Sequence, residues 1–84
     1  MNGLTIEEVI AKCKVCANIE IDEVIAEKIL NDEANVDTFR GIVTRYTRIT
    51  NLKSRNAPDI IIRNEERLFK DALIKFDDMI SQIN

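Results

Sequence analysis

Apolar residues recur at spacings of three and four along most of the 84-residue chain, which is the pattern of amphipathic helices. Thr5 followed by Glu8 has the signature of a capping box and predicts the start of a first helix. Asp22 is placed to cap a second helix. The apolar stripes that follow these caps are Ile6, Val9, Ile10, Cys13 and Ala17, then Ile21, Val24, Ile25, Ile29 and Leu30. We expect helices over about residues 5–17 and 22–31, the second ending among the turn-forming residues 31–35.

The second half of the chain predicts a pair of longer helices. Asp37 resembles an N-cap, and Phe39, Ile42, Val43, Tyr46 and Ile49 follow at helical spacing through about residue 55. Pro58 suits the first turn of the next helix. In that helix Ile62, Phe69, Phe76 and Ile83 recur every seven residues, with Ala72 and Met79 between them and Glu65 in a place where an apolar residue is expected. A seven-residue repeat after a short connection predicts an antiparallel hairpin, residues 37–55 and 58–83.

These elements indicate an all-α fold, and the composition agrees. With two Gly, one Pro and 45% hydrophobic residues, the chain is too poor in turn residues for an all-β protein and too apolar for disorder. Its length allows a single domain over residues 1–84. We expect the N-terminal helix pair in residues 1–36 to cover the open face of the hairpin in residues 37–84.

The residues available for chemistry argue against an enzyme. The chain has no His, which removes the commonest acid-base group and metal ligand. Cys13 and Cys16 are the two cysteines, and a structural zinc site needs four ligands, which only a dimer could complete. Their helical spacing favours two small buried thiols. We therefore expect no catalytic residues, no metal and no cofactor.

The charge distribution points to a protein partner. Residues 1–36 hold three Lys and Arg against eight Asp and Glu, a net charge of −5, whereas residues 37–84 have a net charge of +2. Arg40, Arg45, Arg48, Lys53 and Arg55 form a basic helix on a chain whose net charge is −3, a balance that disfavours general binding to nucleic acid. No run of about 18 apolar residues could span a membrane. We expect a cytoplasmic protein with reduced thiols, and the oligomeric state is open.

The turn and second helix of the hairpin contain an informative string, residues 57–67, which reads Ala-Pro-Asp-Ile-Ile-Ile-Arg-Asn-Glu-Glu-Arg. It resembles the clamp helices of the beta-prime subunit of bacterial RNA polymerase, where the run is Ala-Pro-Asp/Glu-Ile-Ile-Val/Leu-Arg-Asn-Glu-Lys-Arg. The first helix aligns without a gap through Asp37, Phe39, Arg40, Arg45, Arg48 and Leu52. The resemblance covers about residues 37–78. Residues 1–36 have no counterpart, and the catalytic aspartate motif of the polymerase is absent.

The resemblance implies a partner, because the clamp helices are the principal docking site for region 2 of sigma factors. The sigma-contacting residues of the family carry over as Arg45, Glu65, Arg67 and Ala72, with Arg48 on the same basic helix. Lys70 replaces a Gln of that surface, and Glu66 has the opposite charge to the Lys or Arg that is usual there. Thr44, Tyr46 and Thr47 replace an Asn-rich stretch. A detached copy of this surface would act as an anti-sigma factor, blocking or redirecting assembly of the holoenzyme.

Three alternatives stay open. The hairpin tip, at Asn56, Pro58, Ile60 and Ile61, corresponds to a surface that receives elongation factors of the NusG type, and one or two of its isoleucines should be exposed. The chain could also be a small component of a divergent split polymerase that binds other polymerase subunits. The simplest alternative for the charged residues is a solvated helix face with ion pairs inside each helix.

Overall fold

The computed structural model describes residues 3–83 and contains four helices over that range. They are α1 (Ile6–Ala17), α2 (Glu23–Leu30), α3 (Glu33–Ser54) and α4 (Asp59–Ile83). No strand occurs among the described residues. The all-α fold and the long antiparallel hairpin, formed by α3 and α4, are therefore confirmed.

The first two helices begin at the residues that the capping signals indicate. The Thr5 hydroxyl accepts a hydrogen bond from the backbone N–H of Glu8 at 3.2 Å. The Asp22 carboxylate accepts one from the backbone N–H of Ile25 at 2.9 Å. Each cap satisfies a donor that the helix itself leaves unpaired, so both starts follow from local chemistry.

The expected start of α3 at Asp37 is wrong, because α3 begins four residues earlier. Asp32 is its N-cap and accepts hydrogen bonds from the backbone N–H groups of Ala34 at 2.9 Å and Asn35 at 3.4 Å. The additional turn also brings Val36 into a buried position, 3% exposed. The connection between α2 and α3 is consequently only two residues, Asn31 and Asp32.

The hairpin turn is closed by backbone hydrogen bonds at the end of α3. Asn56 takes the left-handed conformation, with φ of 54°. The N–H of Asn56 donates to the carbonyl of Lys53, and the N–H of Ala57 donates to the carbonyl of Leu52. This is the Schellman pattern, in which Asn is the usual substitute for Gly. Pro58 then directly precedes α4, which begins at Asp59, one residue after the predicted start.

The hydrophobic core lies at the end of the hairpin away from the tip. Its buried residues come from all four helices and from the link before α2, and they are Val9, Cys13, Cys16, Ile21, Ala26, Ile29, Phe39, Ile42, Phe76 and Met79. Among the described residues, α3 beyond Tyr46 and α4 before Phe69 take no part in this cluster. The α1–α2 pair therefore packs on the base of the hairpin, and the tip half extends beyond it in a molecule that measures 40 × 22 × 22 Å overall.

Candidate functional site

The central feature of the hairpin surface is a buried carboxylate held between two arginines. The Glu65 side chain is 10% exposed, and its Oε2 lies 3.3 Å from Nη1 of Arg45. Its Oε1 lies 3.4 Å from Nη2 of Arg48. The arginine side chains are more open, 34% exposed for Arg45 and 60% for Arg48.

This arrangement explains why Glu65 interrupts the apolar repeat of α4. Arg45 and Arg48 are three residues apart and therefore share one face of α3, opposite Glu65. A buried carboxylate needs ion-pair and hydrogen-bond partners, and the two guanidinium groups supply them. In the described part of the chain, no buried side-chain nitrogen or oxygen lacks a hydrogen-bond partner. The three side chains together carry a net charge of +1 on a fixed, partly exposed site.

The other candidate residues of α4 lie on different faces of the helix, and Arg67, two residues after Glu65, is turned about 200° away from the cluster. Ala72 is half-buried and lines a groove that also includes Arg45. Arg67 is exposed and donates a hydrogen bond from Nη2 to Oδ1 of Asn64 at 2.8 Å. Lys70 is also exposed. Lys70 is two residues before Ala72, which corresponds to a rotation of about 200° around the helix axis. It therefore lies on the outer face of α4 and not in the groove.

The groove between α3 and α4, called here the α3–α4 groove, has a volume of about 470 Å³. Its lining residues are Asp37, Thr38, Gly41, Arg45, Leu68, Asp71, Ala72 and Lys75. All of them belong to the hairpin, so the groove opens on a face that α1 and α2 leave uncovered. Arg67 lies beside it, because Arg67 and Asp71 are four residues apart on one face of α4.

Two residues that depart from the beta-prime pattern have partners inside the hairpin. Glu66 lies 3.5 Å from Nζ of Lys53 on α3. The Tyr46 and Phe69 rings meet with centroids 6.1 Å apart and planes inclined by 52°. These contacts link the helices on either side of the Glu65 cluster, which gives both residues a role in joining α3 to α4.

The tip residues are largely exposed, as the sequence predicts. Ile60 is 77% exposed and Ile61 is 47% exposed, while Ile62 is half-buried. Asn56 and Pro58 are exposed as well. For Asn56 the left-handed turn conformation supplies a structural reason for the residue type.

Sequence reasoning missed several residues of this surface. Gly41, Asp71 and Lys75 line the groove, and Asp37 lines it instead of capping α3. Ile74 is 53% exposed and lies seven residues after Arg67, on the same stripe of α4. A signal for Ile74 was present, because this apolar residue falls outside the seven-residue repeat. No comparable signal marks the groove, since it depends on how the two helices meet.

The cysteines are core residues, as their spacing indicates. Both are free and buried, and burial raises the pKa of the Cys13 thiol to about 12. Burial raises the pKa of Cys16 as well. Within residues 3–83 no group of three or more Cys, Asp or Glu side chains is placed to bind a metal ion. None of the helices described here has the length and apolar character to cross a membrane.

Comparison with known proteins gives partial matches to one kind of protein. A stretch of 42 residues, 49% of this chain, is 45% identical to the beta-prime subunit of DNA-directed RNA polymerase from Syntrophobacter fumaroxidans. Part of the chain is similar to RNA polymerase beta-prime. The same subunit from Bdellovibrio bacteriovorus is 46% identical over 37 residues, and that from Cellvibrio japonicus is 43% identical over 37 residues. These matches confirm the resemblance of the hairpin segment to the beta-prime clamp helices.

The similarity is confined to a small part of the larger proteins. The chain spans about 3% of the length of the beta-prime subunits that it matches. No protein-family model matches the chain, and no solved structure matches it.

Proposed function

We propose that this chain binds region 2 of a bacterial sigma factor through the hairpin and acts as an anti-sigma factor, and that it is a binding protein and not an enzyme. The observation that supports this most is the Glu65 cluster. A segment similar to RNA polymerase beta-prime carries Arg45 and Arg48 on a partly exposed face, anchored by a buried carboxylate. Planar guanidinium groups on rigid helices are good anchors for the carboxylates of a partner.

The proposed mechanism is competition for one surface of sigma. Core polymerase and the free hairpin would present similar helices, so sigma bound to one could not bind the other. The competitor needs an affinity comparable to that of the core enzyme at its cellular concentration. The packing of α1 and α2 on the hairpin base holds α3 and α4 in place before binding, which reduces the ordering cost of association. The competition would take place in the cytoplasm, where the polymerase works.

The test is titration calorimetry with region 2 of the primary sigma factor of the host bacterium. We expect the unaltered chain to bind. The affinity of an Arg45→Ala/Arg67→Ala variant should be lower by about a hundredfold or more, because interface arginines often contribute strongly to binding. Lys12→Ala/Lys14→Ala removes the same charge from α1 and is the matched control. Equal weakening by both pairs would assign the effect to net charge and contradict a defined docking surface.

A competition assay then tests the anti-sigma activity itself. The chain, sigma and core polymerase are mixed, and holoenzyme is measured by native gel and by promoter-dependent initiation. Inhibition requires that holoenzyme decreases as the chain is added, and that the arginine variant has no effect. Unchanged holoenzyme with sigma still bound to the chain would reject inhibition and favour redirection of sigma.

The exposed tip favours a second candidate function, binding of a NusG-like elongation factor. Ile60 and Ile61 form an apolar tip on an otherwise polar end of the hairpin. An Ile60→Ala/Ile61→Ala variant separates the two functions, since it should retain sigma binding and lose binding to a NusG-like factor. If neither factor binds the unaltered chain, polymerase subunits are the next partners to test.

A further inference from the structure

Two of the residues that line the α3–α4 groove are small, one from each helix. Gly41 contributes no side chain and Ala72 contributes a methyl group. A Cβ atom built on Gly41 would meet no heavy atom within 4 Å, so the space above it is open. The small size of both residues helps to keep the groove open.

The fold itself does not require glycine at position 41. Gly41 lies in the interior of α3, where glycine destabilises a helix relative to alanine. Its φ is not in the left-handed region, and no neighbouring atom excludes a larger residue. The backbone and the packing would accept alanine. The effect of glycine at this position is therefore to leave the space above it open.

The charges around the groove indicate what kind of group fits it. Asp37 and Asp71 balance Arg45 and Lys75, so the lining carries no net charge. An acidic segment gains little here, and an occupant would be selected by shape and apolar contact, with polar groups at its edges. A side chain from a partner helix can fill an opening between side chains, as knobs fill holes in coiled coils.

The groove is continuous with the surface assigned to sigma. Arg45 belongs both to the Glu65 cluster and to the groove, and Arg67 lies one helical turn before the lining residue Asp71. A partner helix that contacts Arg45 and Arg67 therefore also covers the opening above Gly41.

We infer that the α3–α4 groove is the socket for one large apolar side chain from a helix of sigma region 2. This inference rests on the proposed function and adds to it a contact of different chemistry. The arginines bind carboxylates, and the socket selects a helix that presents a bulky apolar residue at the right distance from them.

The test fills the socket. Gly41→Leu should weaken binding of the sigma region 2 fragment by about ten- to a hundredfold, the usual cost of an overfilled site. Gly41→Ala leaves most of the opening and should change affinity by less than about threefold, while raising Tm by roughly 4–8 °C. Thr50→Leu adds the same side chain on the opposite side of α3, where Thr50 is exposed, and should leave affinity unchanged.

Each outcome decides between the socket and its alternatives. If Gly41→Leu binds sigma as well as the unaltered chain while Arg45→Ala/Arg67→Ala does not, the socket is wrong and the proposed function stands. If the unaltered chain does not bind sigma, both fall together. Sedimentation of the Gly41 variants tests whether the groove binds a second copy of the chain. If the unaltered chain is a dimer that Gly41→Leu dissociates, and sigma binding is unchanged, the groove binds a second copy and the inference is wrong.

Discussion

Arg45 and Glu65 are twenty residues apart in the chain and meet across the hairpin, with 3.3 Å between guanidinium nitrogen and carboxylate oxygen. Glu65 is the buried member of this pair, and Arg45 is the member that reaches the surface. If the proposed docking function is correct, Glu65 should orient Arg45, and the arginines should make the direct contact with the partner.

Replacing Glu65 by Leu should separate stability from binding. Leucine suits the apolar repeat of α4, and both arginines are open enough to turn towards water, so the free energy of unfolding should change by no more than about 1 kcal/mol. Binding to sigma region 2 should weaken about tenfold, because the arginines would have to be ordered on association. Urea unfolding and calorimetry measure the two effects.

Glu65→Gln is the matched control for that experiment. It keeps the shape of the side chain and an oxygen that accepts hydrogen bonds from the arginines, so it should retain most of the affinity. Binding by Glu65→Leu at full strength would show that the cluster has no orienting role.

The N-cap of α3 can be checked by comparing two aspartates. Asp32→Ala removes the side chain that accepts from the N–H groups of Ala34 and Asn35, and should cost about 1 kcal/mol, or roughly 4–8 °C in Tm. Asp37→Ala changes an exposed residue inside the helix and should cost less than about 0.5 kcal/mol. Thermal unfolding followed by circular dichroism distinguishes them, and the reverse order would move the helix start back to Asp37.

The hairpin has a packed base and a projecting tip. Truncating an apolar side chain of α4 should therefore reduce the free energy of unfolding much more at the base than at the tip. Phe76 is fully buried in the core, so Phe76→Ala should destabilise the fold by about 3–5 kcal/mol. Ile60 is 77% exposed, and Ile60→Ala should change stability by less than about 0.5 kcal/mol. Denaturant unfolding of both variants is the measurement, and a large cost at Ile60 would mean that the tip is packed in solution.

The buried thiols predict a loss of stability at high pH. The pKa of Cys13 is about 12 in the folded chain and close to its ordinary value of 9.0 when the chain unfolds. Between these values the folded state keeps a proton that the unfolded state releases, so stability decreases as pH rises above about 9. Unfolding at pH 7 and pH 10.5 should show a smaller loss for Cys13→Ala than for the unaltered chain.

Reaction of the thiols with a chromogenic disulfide is a second test of the burial of the two cysteines. At pH 8 the folded chain should react slowly and the unfolded chain rapidly, since the thiolate is the reactive form and both cysteines are buried. Rapid reaction of the native protein would contradict their burial.

The helix boundaries that could be predicted are those set by local chemistry. Thr5 and Asp22 cap their helices through hydrogen bonds to residues three positions ahead, and such signals are legible in a sequence. The start of α3 was misplaced because Asp32 and Asp37 are equally good caps locally. The earlier cap places the buried Val36 inside the helix.

The candidate site divides in the same way. Glu65 was recognisable as an exception to the apolar repeat, but its two partners lie on another helix at separations of seventeen and twenty residues, and only the packing of α3 on α4 shows them. The groove was not predictable, because in the sequence Gly41 indicates only a residue that destabilises α3. Its opening becomes visible when Ala72 is placed opposite.

The position of the core has a consequence for how such a protein can diversify. The residues that determine whether the chain folds lie at one end of the hairpin, and most of those that would determine what it recognises lie between Gly41 and Ala72 towards the other end. Substitutions at Arg67, Lys70 or Ile60 are then tested by selection mainly for recognition, with little penalty in folding. A hairpin built in this way can change its preference among related partners one surface residue at a time.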